Sequence, residues 1–228
     1  MDPQQSNDVH DRFNGQQRHW QFKLATKPNM FGDVPSVSAQ SAAARFQAAG
    51  LQRVLELGAG QGRDTSFFVS SGFDVTALDY SAAGVEAINR KIAALGPLKT
   101  ATVAQHDVRR PLPAADDAFD ACYSHMLYCM AFSWDELLRL SAEVHRVLRP
   151  EGLQVFTVRT VHDPHFNTGL PLGDNVFETS GGYVVRFFDE AMVRRLLPGF
   201  ELVAIEEFEE DRLPKRLFAV TMRKIGAP

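Results

Sequence analysis

The sequence predicts an α/β domain: a mostly parallel, seven-stranded sheet with an antiparallel C-terminal strand and helices packed on its faces. Three observations carry that reading. Short β-branched or leucine-rich runs alternate with amphipathic stretches, the pattern of parallel strands joined by crossover helices. The first such run leads straight into three alternating glycines, Gly58, Gly60 and Gly62. The second ends in an acid, Asp79, about twenty residues beyond them, where an open α/β sheet places a ligand-facing carboxylate.

Taken in order, residues 1–35 read as a leader or lid and residues 36–228 as the domain itself. The leader is rich in Gln, Asn and Asp with scattered aromatics, too irregular for a core strand, and Trp20 and Phe31 are its expected pins. Residues 35–49 read as a helix ending at Gly50. Strands follow at 53–57, 74–78, 99–105, 119–124 and 152–159, with helices at 64–71, 82–95 and 134–148, the last stopped by Pro150 and Gly152. A Gly-, Pro- and Asp-rich segment at about 160–186 is too long for a plain connection and reads as a flap. Residues 188–197 look helical, and 201–208 with 216–223, joined through 211–214, form the closing antiparallel pair.

Bulk composition bounds the function. At 228 residues, 45% hydrophobic and 23% charged, the chain suits one ordinary globular domain. A net charge of -4 lacks the basic excess of a nucleic-acid surface. The two cysteines, Cys122 and Cys129, make no disulfide framework, and no run approaches a signal-peptide core or a bilayer span. The expectation is a cytoplasmic monomer or homodimer acting on a small molecule, without nucleic acid, membrane or metal.

The glycine run lies between a strand and a helix, which presents bare backbone and unpaired N–H groups to a nucleotide-sized ligand. Asp79 then reads in two ways: an acceptor for ribose hydroxyls, or a cap for the helical run behind it. Dinucleotide sites use G-x-G-x-x-G; here the spacing is G-x-G-x-G, with bulky Arg63 where the third glycine would fall, so a dinucleotide fits poorly. The run E-L-G-A-G-Q-G-R-D, the strand-end Asp79 and the later L-R-P-E-G resemble the class I S-adenosylmethionine-dependent methyltransferases, in their small tellurite-resistance-like and type 11 branch. The resemblance covers roughly residues 54–158. One departure is Glu151, where a second glycine is usual.

The resemblance implies a Rossmann-like methyltransferase sandwich that binds S-adenosylmethionine and releases S-adenosylhomocysteine. Glu56 would orient the methionine end, with Gly58, Ala59, Gly60 and Gly62 passing beneath it. Asp79 would hold the ribose, with Tyr80 beside it. Asp107 would bond the adenine amino group, with His106 and Val108 as neighbours on the ring. Ser124 and His125 would close the fourth strand where donor and acceptor pockets meet.

Methyl transfer from a sulfonium is an in-line displacement, so alignment supplies much of the acceleration and a base matters only for a protonated nucleophile. His125 is the base candidate because imidazole titrates near neutral pH; its alternative is a hydrogen-bonded structural histidine. His162 and His165, in V-R-T-V-H-D-P-H, read as substrate contacts, an irregular set for metal ligation. Arg159 and Arg186 are anchors for an anionic acceptor, and Trp20 a wall of its pocket. Cys129 reads as packing. The function expected is methyl transfer to a small acceptor through S, O or N. The alternatives are an NAD-dependent oxidoreductase and a non-catalytic S-adenosylmethionine sensor or scaffold.

Overall fold

The computed structural model describes residues 3–97, 101–210 and 215–225. Five strands alternate with helices through the first two thirds: β1 (Arg53–Leu57), α3 (Arg63–Ser70), β2 (Asp74–Asp79), α4 (Ala82–Ala94), β3 (Ala101–Gln105), β4 (Phe119–Ser124), α5 (Trp134–Val147) and β5 (Leu148–Arg159). Ahead of them lie α1 (Pro3–Thr26) and α2 (Val37–Ala48). A three-stranded sheet, β6 (Leu170–Gly173), β7 (Val176–Glu178) and β8 (Val184–Arg186), precedes the short α6 (Glu190–Arg194) and the hairpin β9 (Phe200–Glu210) and β10 (Lys215–Lys224). The main sheet has the order β3-β2-β1-β4-β5-β10-β9, with β10 antiparallel to both neighbours and the other contacts parallel. This is the predicted seven-stranded arrangement. Lys99 and Thr100, and the expected turn at 211–214, lie outside the described residues.

Strand alternation divides the core. Val54, Val75, Ala121 and Val155 join Phe46, Phe68 and Ile88 from α2, α3 and α4 in one cluster. Leu55, Leu57, Cys122 and Phe156 join Leu137, Leu140 and Val144 of α5 in another. Chain order reverses between β1 and β4, so the crevice at the carboxyl ends of these strands is where such a sheet binds ligands.

Three elements differ from expectation. α5 begins as predicted, with a capping box between Ser133 and Glu136, but the chain becomes extended at Leu148 and enters β5 there. Pro150 therefore lies inside the strand, at the irregularity where the register with β4 shifts. Glu151 takes a φ of 65° in that bulge, a left-handed conformation that glycine adopts freely. The second difference is the leader, for which no element was expected: residues 3–26 form one helix. Its inward face, Phe13, Gln16, Gln17, Trp20 and Leu24, follows helical spacing but is part glutamine, so no apolar stripe announces it. Gln16 reaches the small sheet, donating to Gly182 O at 2.9 Å and accepting Val184 N–H at 3.2 Å. The expected helix at 188–197 shrinks to α6, because Phe188 is held in a bridge to Thr160 and Asp189 caps the short helix behind it.

Candidate active site

The turn from β1 into α3 builds the floor of a deep cleft. Gly58, Gly60 and Gly62 all have positive φ, 67°, 57° and 79°, which lets the chain reverse at the carboxyl edge of the sheet. Their surroundings differ. A Cβ on Gly60 would meet only the Phe31 ring, at an ordinary 3.7 Å, whereas one on Gly62 would lie 2.9 Å from Ile88 Cγ1. Gly60 is thus bare toward the cleft, and Gly62 serves the packing of α4 against the loop.

Asp79 ends β2, only 6% exposed, and each carboxylate oxygen accepts one backbone N–H: Gly60 N–H at Oδ2 and Ser81 N–H at Oδ1, both at 2.8 Å. The cap of α4 is Ser81, whose hydroxyl accepts the Gly84 N–H at 3.1 Å. Burial pushes the Asp79 carboxyl up to about 6, against the two N–H bonds that favour its charge. Glu56 lies between Ala77 of β2 and Tyr123 of β4 in register. Burial, with Asp64 and Asp79 nearby, raises it to about 8, and its Oε2 is buried with no hydrogen-bond partner among the described residues. A buried carboxyl on a cleft wall with an unused oxygen suits a cationic ligand group.

The cleft encloses about 730 Å³. Its wall includes Tyr80, Asp107, Val108 and Arg109 from the turns after β2 and β3, and Trp20, Phe132, Tyr183, Met126 and Met130 from α1, the β4–α5 connection and the flap. Arg109 forks onto Asp107 with Nε at 3.0 Å and Nη2 at 2.6 Å, and although burial pushes the Asp107 carboxyl up, these bonds hold it below its ordinary value. Trp20 of α1 packs on Tyr183, ring centroids 5.0 Å apart, and so roofs the cleft.

His125 follows β4 and faces the cleft. Its Nδ1 lies 3.0 Å from Ser38 Oγ and 3.1 Å from Thr157 Oγ1. Burial lowers its pKa to about 4, opposed by Asp64 and reinforced by Arg63 and Lys215, so the ring is neutral at physiological pH.

Of the residues singled out in the sequence, Glu56, Gly58, Ala59, Gly60, Asp79, Tyr80, Asp107 and Val108 share this wall, and so do His125, Trp20 and Arg159. Gly62, His106 and Ser124 lie behind it. Arg159 is 5% exposed and forks onto Asp163, with Nε at 3.0 Å and Nη2 on the other oxygen, leaving it little freedom to bind an acceptor. His165 Nδ1 lies 2.9 Å from Arg159 Nη2, at the flap root and off the wall. His162 is exposed and paired with Glu207 at 3.0 Å. Arg186 is buried beneath the flap, donating to Asp174 O and to Phe132 O at 2.9 and 3.1 Å. Sequence reasoning passed over Arg109, Gln61, Lys215 and Tyr183, and the acidic run at 206–210 suggests only a solvated strand edge for Glu210; Tyr183, Glu210 and Lys215 arrive from the flap and the C-terminal hairpin, which no local motif ties to the glycine loop. Among the described residues no group of three or more His, Cys, Asp or Glu is gathered as metal ligands, and no helix is long and apolar enough to cross a membrane.

Residues 54–152 match the model of the methyltransferase domain family. Uncharacterised methyltransferases of Mycobacterium bovis and Mycobacterium tuberculosis are 36% identical over 104 residues, 46% of this chain and 38% of theirs. A malonyl-acyl-carrier-protein O-methyltransferase of Enterobacter lignolyticus is 34% identical over 121 residues, 53% of this chain and 44% of that one. The chain thus spans less than half the length of these relatives in the matched region. A 1,6-didemethyltoxoflavin N1-methyltransferase of Burkholderia thailandensis, solved with that compound and S-adenosylhomocysteine, superposes with a TM-score of 0.71 over 95% of this chain and 90% of that one, at 19% identity. An S-adenosylmethionine-dependent methyltransferase of Clostridium acetobutylicum gives 0.69 over 87% and 96%, at 12% identity.

The matched methyltransferase domain covers residues 54–152, and the fold is similar to that of solved S-adenosylmethionine-dependent methyltransferases. The matched stretch runs from β1, through the glycine turn and Asp79, to the bulge that opens β5.

Proposed function

We propose that the protein transfers a methyl group from S-adenosylmethionine to a small, flat, largely apolar acceptor. One observation carries the reading: a single cleft joins the glycine turn, Glu56 and Asp79 to an aromatic- and methionine-lined chamber. When bound, S-adenosylmethionine supplies an electrophilic methyl carbon on a positively charged sulfur.

The chain's own residues account for binding and orientation. Asp79 retains lone pairs beside its two N–H bonds and can accept ribose hydroxyls. Glu56 offers its unused oxygen to an ammonium group, whose charge would draw the carboxyl back to its ionised form. Bare Gly60 lets the ligand approach the backbone. Tyr80, Val108 and the Arg109–Asp107 pair frame the part that suits a nucleobase. Trp20, Tyr183 and Phe132 make flat walls that exclude water and hold a planar acceptor in line.

Calorimetric titration with S-adenosylmethionine, and separately with NAD, tests the donor. Micromolar binding of the first and none of the second is expected; the reverse outcome refutes the reading. Asp79→Ala is expected to weaken donor binding by ~1–3 kcal/mol through a lost charged hydrogen bond. Release of S-adenosylhomocysteine is then followed with panels of planar phenols, thiols and nitrogen heterocycles.

A further inference from the structure

We propose that Asp64 anchors a one-way chain of hydroxyl groups that holds His125 in a single tautomer, with the bare Nε2 turned to the cleft to accept a proton from the acceptor. The inference rests on the methyl-transfer reading and narrows the acceptor to a protonated nucleophile, an O–H, S–H or N–H group.

The chain starts at a carboxylate. Asp64, in the first turn of α3 and 4% exposed, accepts the Ser36 N–H and the Ser36 hydroxyl, each at 2.8 Å, and the Tyr123 hydroxyl at 3.2 Å. Burial pushes its carboxyl up, but Arg63, His125 and the Ser36 bonds outweigh that and leave it below its ordinary value. An ionised carboxylate only accepts. With the Ser36 and Tyr123 protons directed to Asp64, the Ser38 proton goes to the Tyr123 oxygen at 2.8 Å or to Ser36 Oγ at 3.1 Å, in either case away from His125; Ser36 Oγ also lies 3.0 Å from the Tyr123 hydroxyl. The Ser38 oxygen is then left to accept from His125 Nδ1 at 3.0 Å. Thr157 Oγ1, on the other side of Nδ1 at 3.1 Å, already accepts the Met126 N–H at 2.9 Å and has a second lone pair to offer. Ser38 thus places the ring proton on Nδ1, and Thr157 has a lone pair that can share it.

Nε2 faces the cleft. The Glu210 carboxylate is 3.8 Å from it, too far for a hydrogen bond, and Arg63 and Lys215 are the charged groups alongside. In the proton step the acceptor's X–H bond breaks, its electron pair stays on X, and the Nε2 lone pair takes the proton. The ring becomes a cation whose charge Asp64 offsets through the hydroxyl chain. Asp64, Tyr123 and Ser38 touch no substrate and are positioning residues.

The test reads the tautomer directly. Two-bond nitrogen–proton correlation spectra of the full-length 15N-labelled protein report which ring nitrogen carries the proton, with His125 assigned by the signals lost in His125→Gln. The expected result is a neutral ring protonated on Nδ1 between pH 6 and 8. Ser38→Ala removes the acceptor and Tyr123→Phe frees the Ser38 hydroxyl to turn toward Nδ1; each is expected to raise the Nε2–H population several-fold. A wild-type ring protonated on Nε2 overturns the proposal even if both variants fail to fold. Unchanged populations in folded Ser38→Ala overturn the chain. Titrating the wild-type sample with S-adenosylmethionine keeps the outcomes separate: failure to bind removes the methyl-transfer reading and leaves the tautomer result standing.

Discussion

The side-chain amide of Gln61 holds the Leu24 carbonyl at 3.0 Å. It also donates to Lys27 O at 2.9 Å and accepts the Met30 N–H at 2.7 Å. Gln61 stands between Gly60 and Gly62, so the residue that continues the cleft floor also fastens the end of α1, where a helix leaves its last carbonyls unpaired. Gln61→Ala is expected to destabilise this junction by about 1–3 kcal/mol, the range for stranded buried partners. Amide exchange over residues 20–31 would accelerate and donor affinity would fall. Exchange unchanged from wild type would show that α1 is held elsewhere.

Glu56 gives the protein without donor a distinctive pH dependence. Its carboxyl sits at about 8 in the folded chain against an ordinary value of 4.5. Between those values the folded chain keeps a proton that the unfolded chain has lost. The associated stability is therefore complete below about 4.5 and disappears as pH rises through 8, by at most about 4–5 kcal/mol. Asp79, raised to about 6, adds a slope of the same sign that ends lower. Denaturant titrations between pH 6 and 8 isolate Glu56: stability should fall in wild type and stay nearly flat in Glu56→Gln. Equal slopes would contradict the assignment.

Gly62→Ala separates packing from ligand approach. The new methyl carries two burdens, a left-handed φ of 79° and a position 2.9 Å from Ile88 Cγ1. Together these are expected to cost roughly 2–4 kcal/mol in urea unfolding. In an Ile88→Ala background, which lacks Cγ1, the same substitution should cost less. Full recovery of donor binding in the double variant would place Gly62 outside the ligand's reach.

The glycine turn and its neighbours were legible in the sequence as structure because they are local: β1, the turn and Asp79 occupy one βαβ unit, and periodicity and turn chemistry mark each part. Gly62 shows the limit, since its spacing is indistinguishable from that of Gly60 while its purpose depends on Ile88 in the next helix. The roof was hidden for another reason. Gln16 pairs with the β8 edge as a strand would, so a polar residue occupies an inward position of α1. Arg159 and Arg186 carried the right charge for an acceptor, but charge alone does not reveal that Asp163 and Asp174 already hold them.

Existing partners also separate two neighbours in the flap root. Asp163 accepts both arms of Arg159, the His165 N–H at 2.8 Å and the Arg216 N–H at 3.0 Å, so it ties the end of β5 to β10. Its side chain is fully buried. Asp163→Ala strands a buried guanidinium and two N–H groups and is expected to cost about 3–5 kcal/mol. His162, one residue earlier, is exposed beside Glu207, and its replacement by alanine should change stability by less than ~0.5 kcal/mol. Equilibrium unfolding of the two variants measures the difference. A large His162→Ala loss in turnover at unchanged stability would instead return that histidine to the acceptor site.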